Sequence, residues 1–124
     1  MLSILYVDDS HEQLEAMREA LASSPYQLST AANLQEAKER MSQAKPELVI
    51  VDYHMPTISG EECMRSLRRL ASEKTRFYLY TTDAHAFRRH REMGFDGVLM
   101  LKGKSPVRAQ IDAVVRFMTH YRVG

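Results

Sequence analysis

Leu48-Val49-Ile50-Val51-Asp52 runs into Tyr53-His54-Met55-Pro56-Thr57-Ile58-Ser59-Gly60, and the fold turns on how this stretch is read. Four branched aliphatic residues in a row, with no polar alternation, describe a short strand covered on both faces. That is the habit of a parallel sheet. The run closes on a carboxylate, Asp52, and Pro56 and Gly60 mark the segment beyond it as a loop. Near the start, Ile4-Leu5-Tyr6-Val7 closes in the same way on Asp8-Asp9. In an open parallel sheet, ligands bind outside the carboxyl ends of the strands, where the strand order reverses. Three acids delivered to that edge make a hard-oxygen site suited to a magnesium ion.

Working outward, short apolar runs alternate with helical periods. The first strand is expected over 3–7. Ser10 and Gln13 then resemble a capping box, and Leu14, Met17 and Leu21 share a helical face. Pro25 stops that helix, and a weaker strand covers 27–31. Asn33 with Glu36 caps the second helix, whose inward side is Leu34, Ala37 and Met41. Pro46 breaks it before the strand at 48–51. Ser59-Gly60-Glu61-Glu62 opens the third helix, with Cys63, Met64, Leu67 and Leu70 as its apolar side. A fourth strand is expected over 77–80, then a short basic helix over 85–93 stopped by Gly94, then a fifth strand over 98–101. Ser105-Pro106 opens the last helix, and Val107, Ile111, Val114, Val115 and Met118 form its stripe. Five strands alternating with five helices argue for βαβ units with right-handed crossovers. No linker or repeat interrupts the pattern, so residues 1–124 are expected to form one domain.

Composition narrows the class. The 124 residues are 44% hydrophobic and 27% charged, as in ordinary globular proteins. A net charge of +1 gives no global electrostatic case for nucleic acid or an anionic membrane. Cys63 is the only cysteine, so neither an internal disulfide nor a zinc cluster is available, and a reducing compartment fits. No apolar run approaches the roughly 18 residues that span a bilayer. Asp8 and Asp9 interrupt the N-terminus too early for a signal peptide. A cytoplasmic location is expected.

The strands expected first, third, fourth and fifth end in Asp8-Asp9, Asp52, Thr81-Thr82 and Lys102. A parallel sheet puts all of these on one edge. Clustered carboxylates repel unless a cation sits among them. A hydroxyl and an ammonium nearby suit phosphoryl oxygens, and an aspartate can act as a nucleophile to form an acyl phosphate. With these residues in this order and spacing, essentially the whole chain resembles the response-regulator receiver domain of two-component signalling, in the CheY-like superfamily. The resemblance implies a doubly wound (βα)5 sheet of strand order 2-1-3-4-5, the flavodoxin-like receiver fold. It implies that Asp52 accepts a phosphoryl group from a histidine kinase or histidine phosphotransfer protein. It implies magnesium (or manganese) held by Asp9, by Asp8 through a water, by Asp52 and by the backbone carbonyl of His54. Thr81 and Lys102 would contact the phosphoryl oxygens, and His54, Thr82 and Asp83 would tune its lifetime. Such a domain is a signalling switch, not an enzyme, beyond catalysing its own phosphoryl transfer and dephosphorylation. A downstream effector domain or protein is the implied partner, with homodimerisation through the face formed by the fourth helix, fifth strand and fifth helix. The chain ends where receivers usually stop, which leaves room for an effector domain beyond it in a longer protein.

The sequence departs from the family at three places. Lys102 is followed by Gly103, not the usual proline, and the stretch from Gly94 to Lys102 is about one residue longer than is usual for the family, which leaves Lys104 as an alternative lysine. Val98, Leu99 and Met100 stand where an aromatic switch residue is common, and Thr82 where a small residue is usual. Two rival functions stay open at this point. One is a degenerate receiver that binds partners without phosphorylation. The other is a magnesium-dependent aspartyl phosphohydrolase with His54 as its acid, although no substrate cap is visible. Arg88-Arg89-His90-Arg91 reads either as a solvated helix face or as a partner surface, with no direct DNA-binding module after it. Tyr78 and Tyr80 read as strand packing.

Overall fold

A computed structural model describes residues 2–120. Its five strands are β1 (Ser3–Val7), β2 (Gln27–Ala31), β3 (Leu48–Val51), β4 (Arg76–Leu79) and β5 (Gly97–Val98). All pair in parallel, in the order β2-β1-β3-β4-β5. The implied topology is therefore the observed one. β1 and β3 lie at the centre and every residue in them is buried. That explains their uninterrupted apolar sequences.

The helices are α1 (His11–Leu21), α2 (Leu34–Ala44), α3 (Gly60–Arg68), α4 (Ala84–Arg88), α5 (His90–Met93) and α6 (Val107–His120). Alternate strand residues build two cores. On one face Leu5, Val7, Val49 and Val51 meet Ala37 and Met41 of α2 and Cys63, Met64 and Leu67 of α3. On the other, Ile4, Tyr6, Leu48 and Ile50 meet Leu14, Met17 and Leu21 of α1 and Ile111 of α6. The α6 stripe read from the sequence packs against this second core. The caps also fall where expected. Ser10, Asn33 and Ser59 each accept from the backbone N–H three residues on. Glu36 reaches back to the N–H of Ala32 at 2.9 Å.

Four local expectations are corrected. β4 starts at Arg76 and ends at Leu79, one residue earlier than expected. β5 spans only Gly97–Val98, because the chain leaves the ladder before Lys102. The basic helix is two short segments divided at Arg89, whose φ of −105° and ψ of 13° fall outside the helical well. Leu70 lies beyond the end of α3 and is 56% exposed, so it is not part of that helix's buried face.

The order reverses at β1. From there the chain goes outward to β2, then returns across β1 to β3. The crevice of the sheet is therefore at the carboxyl ends of β1 and β3.

Candidate functional site

Asp8 and Asp52 are held by the ends of adjacent central strands. The Asp52 N–H donates to the carbonyl of Val7 at 3.0 Å, and the Asp8 N–H donates to that of Ala31 at 3.1 Å. The ladder thus continues one step past each strand and fixes both backbones. Asp8 is 1% exposed and Asp52 8%, whereas Asp9 is exposed. One carboxylate oxygen from each of the three lies within 4.8 Å of the others.

Lys102 lies among them. Its Nζ is 2.5 Å from Asp8 Oδ2 and 3.4 Å from Asp52 Oδ1, with its side chain 9% exposed. Of the two lysines considered, Lys102 is the one at the acids, while Lys104 is exposed in the turn that follows. The surplus residue before Lys102 is taken up in the backbone. Leu99 N–H donates to Leu79 O at 2.9 Å, and the next such bond to β4 is Lys102 N–H to Thr81 O at 3.1 Å. Between these bonds one residue, Tyr80, opposes two, Met100 and Leu101, which is a bulge. Met100 is pushed out to 52% exposure, and its N–H donates to Gln110 Oε1 of α6 at 2.6 Å. Gly103 then turns the chain with a φ of 83°, a conformation that L side chains rarely adopt.

Thr81 is buried two residues beyond the end of β4, and its Oγ1 accepts the N–H of Asp83 at 3.1 Å. Its own O–H is then available to donate. Asp83 caps α4 through Oδ1, accepting from His85 and Ala86. Its Oδ2 meets His54 Nε2 at 2.6 Å. The two tuning candidates, His54 and Asp83, thus touch across the mouth between the β3 and β4 loops. Thr82 is exposed. Gly60 lets the loop after Asp52 fold back onto the site. Its N–H donates to Tyr53 O at 2.7 Å, and a Cβ there would be 2.3 Å from Asp52 O.

The electrostatics are those of an underneutralised anionic cluster. Burial raises the Asp52 carboxyl above its ordinary value; Lys102 pulls it down and Asp8 pushes it further up. Asp83 is lowered, first by the Ala86 N–H and then by its bond to His54. Three carboxylates against one ammonium leave two negative charges, the complement of one divalent cation. The donors are all hard oxygens, as magnesium or manganese requires. On chemistry and charge, the residues present fit the ion. Cys63 packs in the core as expected, and burial pushes its thiol up to about 11.

Two further residues stand at the site, one of them Tyr80, whose expected role is strand packing alone. Tyr6 donates its hydroxyl to Asp8 Oδ2 at 2.5 Å. The ring of Tyr80 lies 5.4 Å from Lys102 Nζ. The signal for Tyr6 was its position two before Asp8, which puts both on one face of β1. A cavity of about 460 Å³ opens beside Lys45, Glu47, Leu70 and Lys74. It is at the opposite end of the strands from the acids.

A doubly wound sheet that gathers carboxylates, a threonine and a lysine over its switch point defines a receiver-type α/β protein. The response regulator receiver domain family matches residues 4–106, and the chain belongs to that family. Its sequence is 30% identical to the alkaline phosphatase synthesis transcriptional regulatory protein PhoP of Bacillus subtilis, over 91% of this chain and 48% of PhoP. Chemotaxis protein CheY4 of Vibrio cholerae shares the fold with a TM-score of 0.79 and 25% identity, over 94% of this chain and 98% of that one. Response regulator TrrA of Thermotoga maritima, solved in complex with Mg(2+)-BeF, gives 0.79 and 27%, over 95% and 99%. The chain spans less than half the length of the curated relatives it matches, 30% of the first of them. Among the described residues no helix is long and apolar enough to cross a membrane.

Proposed function

We propose that residues 1–124 form one receiver module and that Asp52 is its phosphoacceptor. The observation that carries this reading is the convergence at one sheet edge. Asp8, Asp9 and Asp52 present oxygens within 4.8 Å, with Lys102 Nζ 3.4 Å from Asp52. In the step itself, an Asp52 carboxylate oxygen attacks the phosphorus of a phosphohistidine. The P–O bond forms, the P–N bond breaks, and the imidazole leaves with its electron pair and takes up a proton. Lys102 moves from Asp8 and Asp52 to a phosphoryl oxygen, and Thr81 donates its hydroxyl to another. Asp8, Asp9, Asp52 and the His54 carbonyl would hold magnesium, which when bound supplies positive charge to the phosphoryl oxygens. Two features support the metal: the charge and chemistry of the acid cluster, and the magnesium complex of the related TrrA.

The acyl phosphate then biases the equilibrium of the segment from β4 to α6, because Thr81 and Lys102 make different contacts in the two states. The output side is the face of α4, α5, β5 and α6, available to an effector or to a second copy. A histidine kinase or phosphotransfer protein as donor and a cytoplasmic setting complete the reading.

Intact-mass spectrometry after acetyl phosphate treatment tests it. The expected result is one phosphoryl adduct on wild type with magnesium, and none without magnesium or on Asp52→Asn. Steady phosphate release over many turnovers would instead indicate a hydrolase. Neither adduct nor turnover, together with no beryllofluoride binding, would indicate a degenerate receiver.

A further inference from the structure

Tyr6 has no part in the phosphoryl transfer set out above, yet it is built into the site. It is fully buried, and its hydroxyl donates to Asp8 Oδ2 at 2.5 Å. Lys102 Nζ donates to the same oxygen at 2.5 Å, and Asp8 Oδ1 accepts the Ser10 N–H at 3.0 Å. Three donors thus fix the plane of one carboxylate. They are not equivalent. Lys102 must leave Asp8 to reach a phosphoryl group, and then Tyr6 is the side-chain donor that still holds Oδ2. Its ring has a second task. Lys102 Nζ lies 5.9 Å from the Tyr6 ring and 5.4 Å from the Tyr80 ring, and the two rings stand 6.2 Å apart at 53°. The ammonium therefore sits against two aromatic walls, which attract it without binding it in one direction.

We propose that Tyr6 is a positioning residue for the metal site: its hydroxyl aims the Asp8 carboxylate at the divalent cation and keeps it aimed when Lys102 departs. This rests on the magnesium-dependent reading above. Asp8 would hold the metal through a coordinated water, and losing a donor that fixes such an outer-shell carboxylate typically costs 10–100-fold in metal affinity. Tyr6→Phe removes the hydroxyl and keeps the ring, so the core remains filled.

The test is magnesium binding by titration calorimetry on the full chain, for wild type, Tyr6→Phe and Tyr78→Phe. The Tyr78 ring covers Gly97 outside the site and serves as the control for losing a tyrosine hydroxyl. The expected result is a magnesium Kd raised about tenfold in Tyr6→Phe and unmoved in Tyr78→Phe. Tyr6→Phe should also lower the Tm without magnesium, because a buried hydrogen bond to a carboxylate is lost, and binding is measured well below that Tm. Excess magnesium should restore the rate at which Tyr6→Phe takes a phosphoryl group from acetyl phosphate. A wild type that binds magnesium with Tyr6→Phe equally tight overturns the inference alone. A wild type that binds none overturns both the inference and the metal reading beneath it.

Discussion

Gly60 has no room for a side chain. A methyl group there would meet Asp52 O at 2.3 Å and Tyr53 Cα at 2.7 Å, both backbone atoms that cannot swing aside. Gly60→Ala should therefore destabilise the fold by about 1–3 kcal/mol, read from urea denaturation. It should also slow phosphorylation, because relief of the clash displaces Asp52 itself. Asp83 makes a different claim, one about pH. Its folded carboxyl lies below the ordinary value, chiefly through the Ala86 N–H and then His54. A depressed carboxyl contributes stability that is present above its unfolded pKa of about 3.9 and lost as pH falls through the folded value. Asp83→Ala should cost about 1 kcal/mol at pH 7, as for a lost helix cap. The gap between variant and wild type should narrow steadily below about pH 4. An unchanging gap in denaturation curves from pH 7 to pH 2.5 would remove Asp83's charge from the account.

The most individual element is the short β5 and the bulge after it. Apolar residues from Val98 to Leu101 predict a strand, and they also serve a bulge, so the sequence pattern alone could not separate the two. The deciding partner, Gln110, stands ten residues further on and on another element. Surplus length before Lys102 was visible in the sequence; how the chain absorbs it was not. Deleting Met100 should restore a regular ladder, since Lys102 would then follow Leu99 by two positions, the spacing of Leu79 and Thr81. The deletion variant is expected to fold and to keep Lys102 at the acids, with phosphorylation retained. Loss of the adduct in that variant would show that the bulge itself positions the lysine. The break between α4 and α5 was hidden for another reason. Arg88-Arg89-His90-Arg91 has neither Gly nor Pro, and with few apolar residues it carries no period to lose.

At the scale of the molecule, the site follows from topology. Once the apolar runs are read as buried parallel strands, every strand end falls on one edge and the acids must meet there. That is why Asp8, Asp9 and Asp52 could be found without coordinates. The strand order came from the resemblance, since alternation alone does not fix it. The partners of each carboxylate, Tyr6 above all, depend on side-chain packing that no linear pattern records. The same electrostatics give a global prediction. A cation that binds only the folded state stabilises it by RT ln(1 + [L]/Kd), about 1.4 kcal/mol at ten times Kd. Magnesium should therefore raise the Tm of wild type. It should do little for Asp9→Asn, whose exposed side chain contributes little to the core. Equal shifts in both proteins would place the ion elsewhere.

The central claim is that Asp52 carries the phosphoryl group. Borohydride reduction of the acetyl phosphate-treated protein, followed by peptide mass mapping, tests it at the level of the bond. An aspartyl phosphate is reduced to homoserine, whereas an unmodified carboxylate is left intact. The account predicts homoserine at position 52 alone, and only in samples that contained magnesium. Homoserine at position 8 or 9, or a stable adduct that borohydride does not convert, would contradict it.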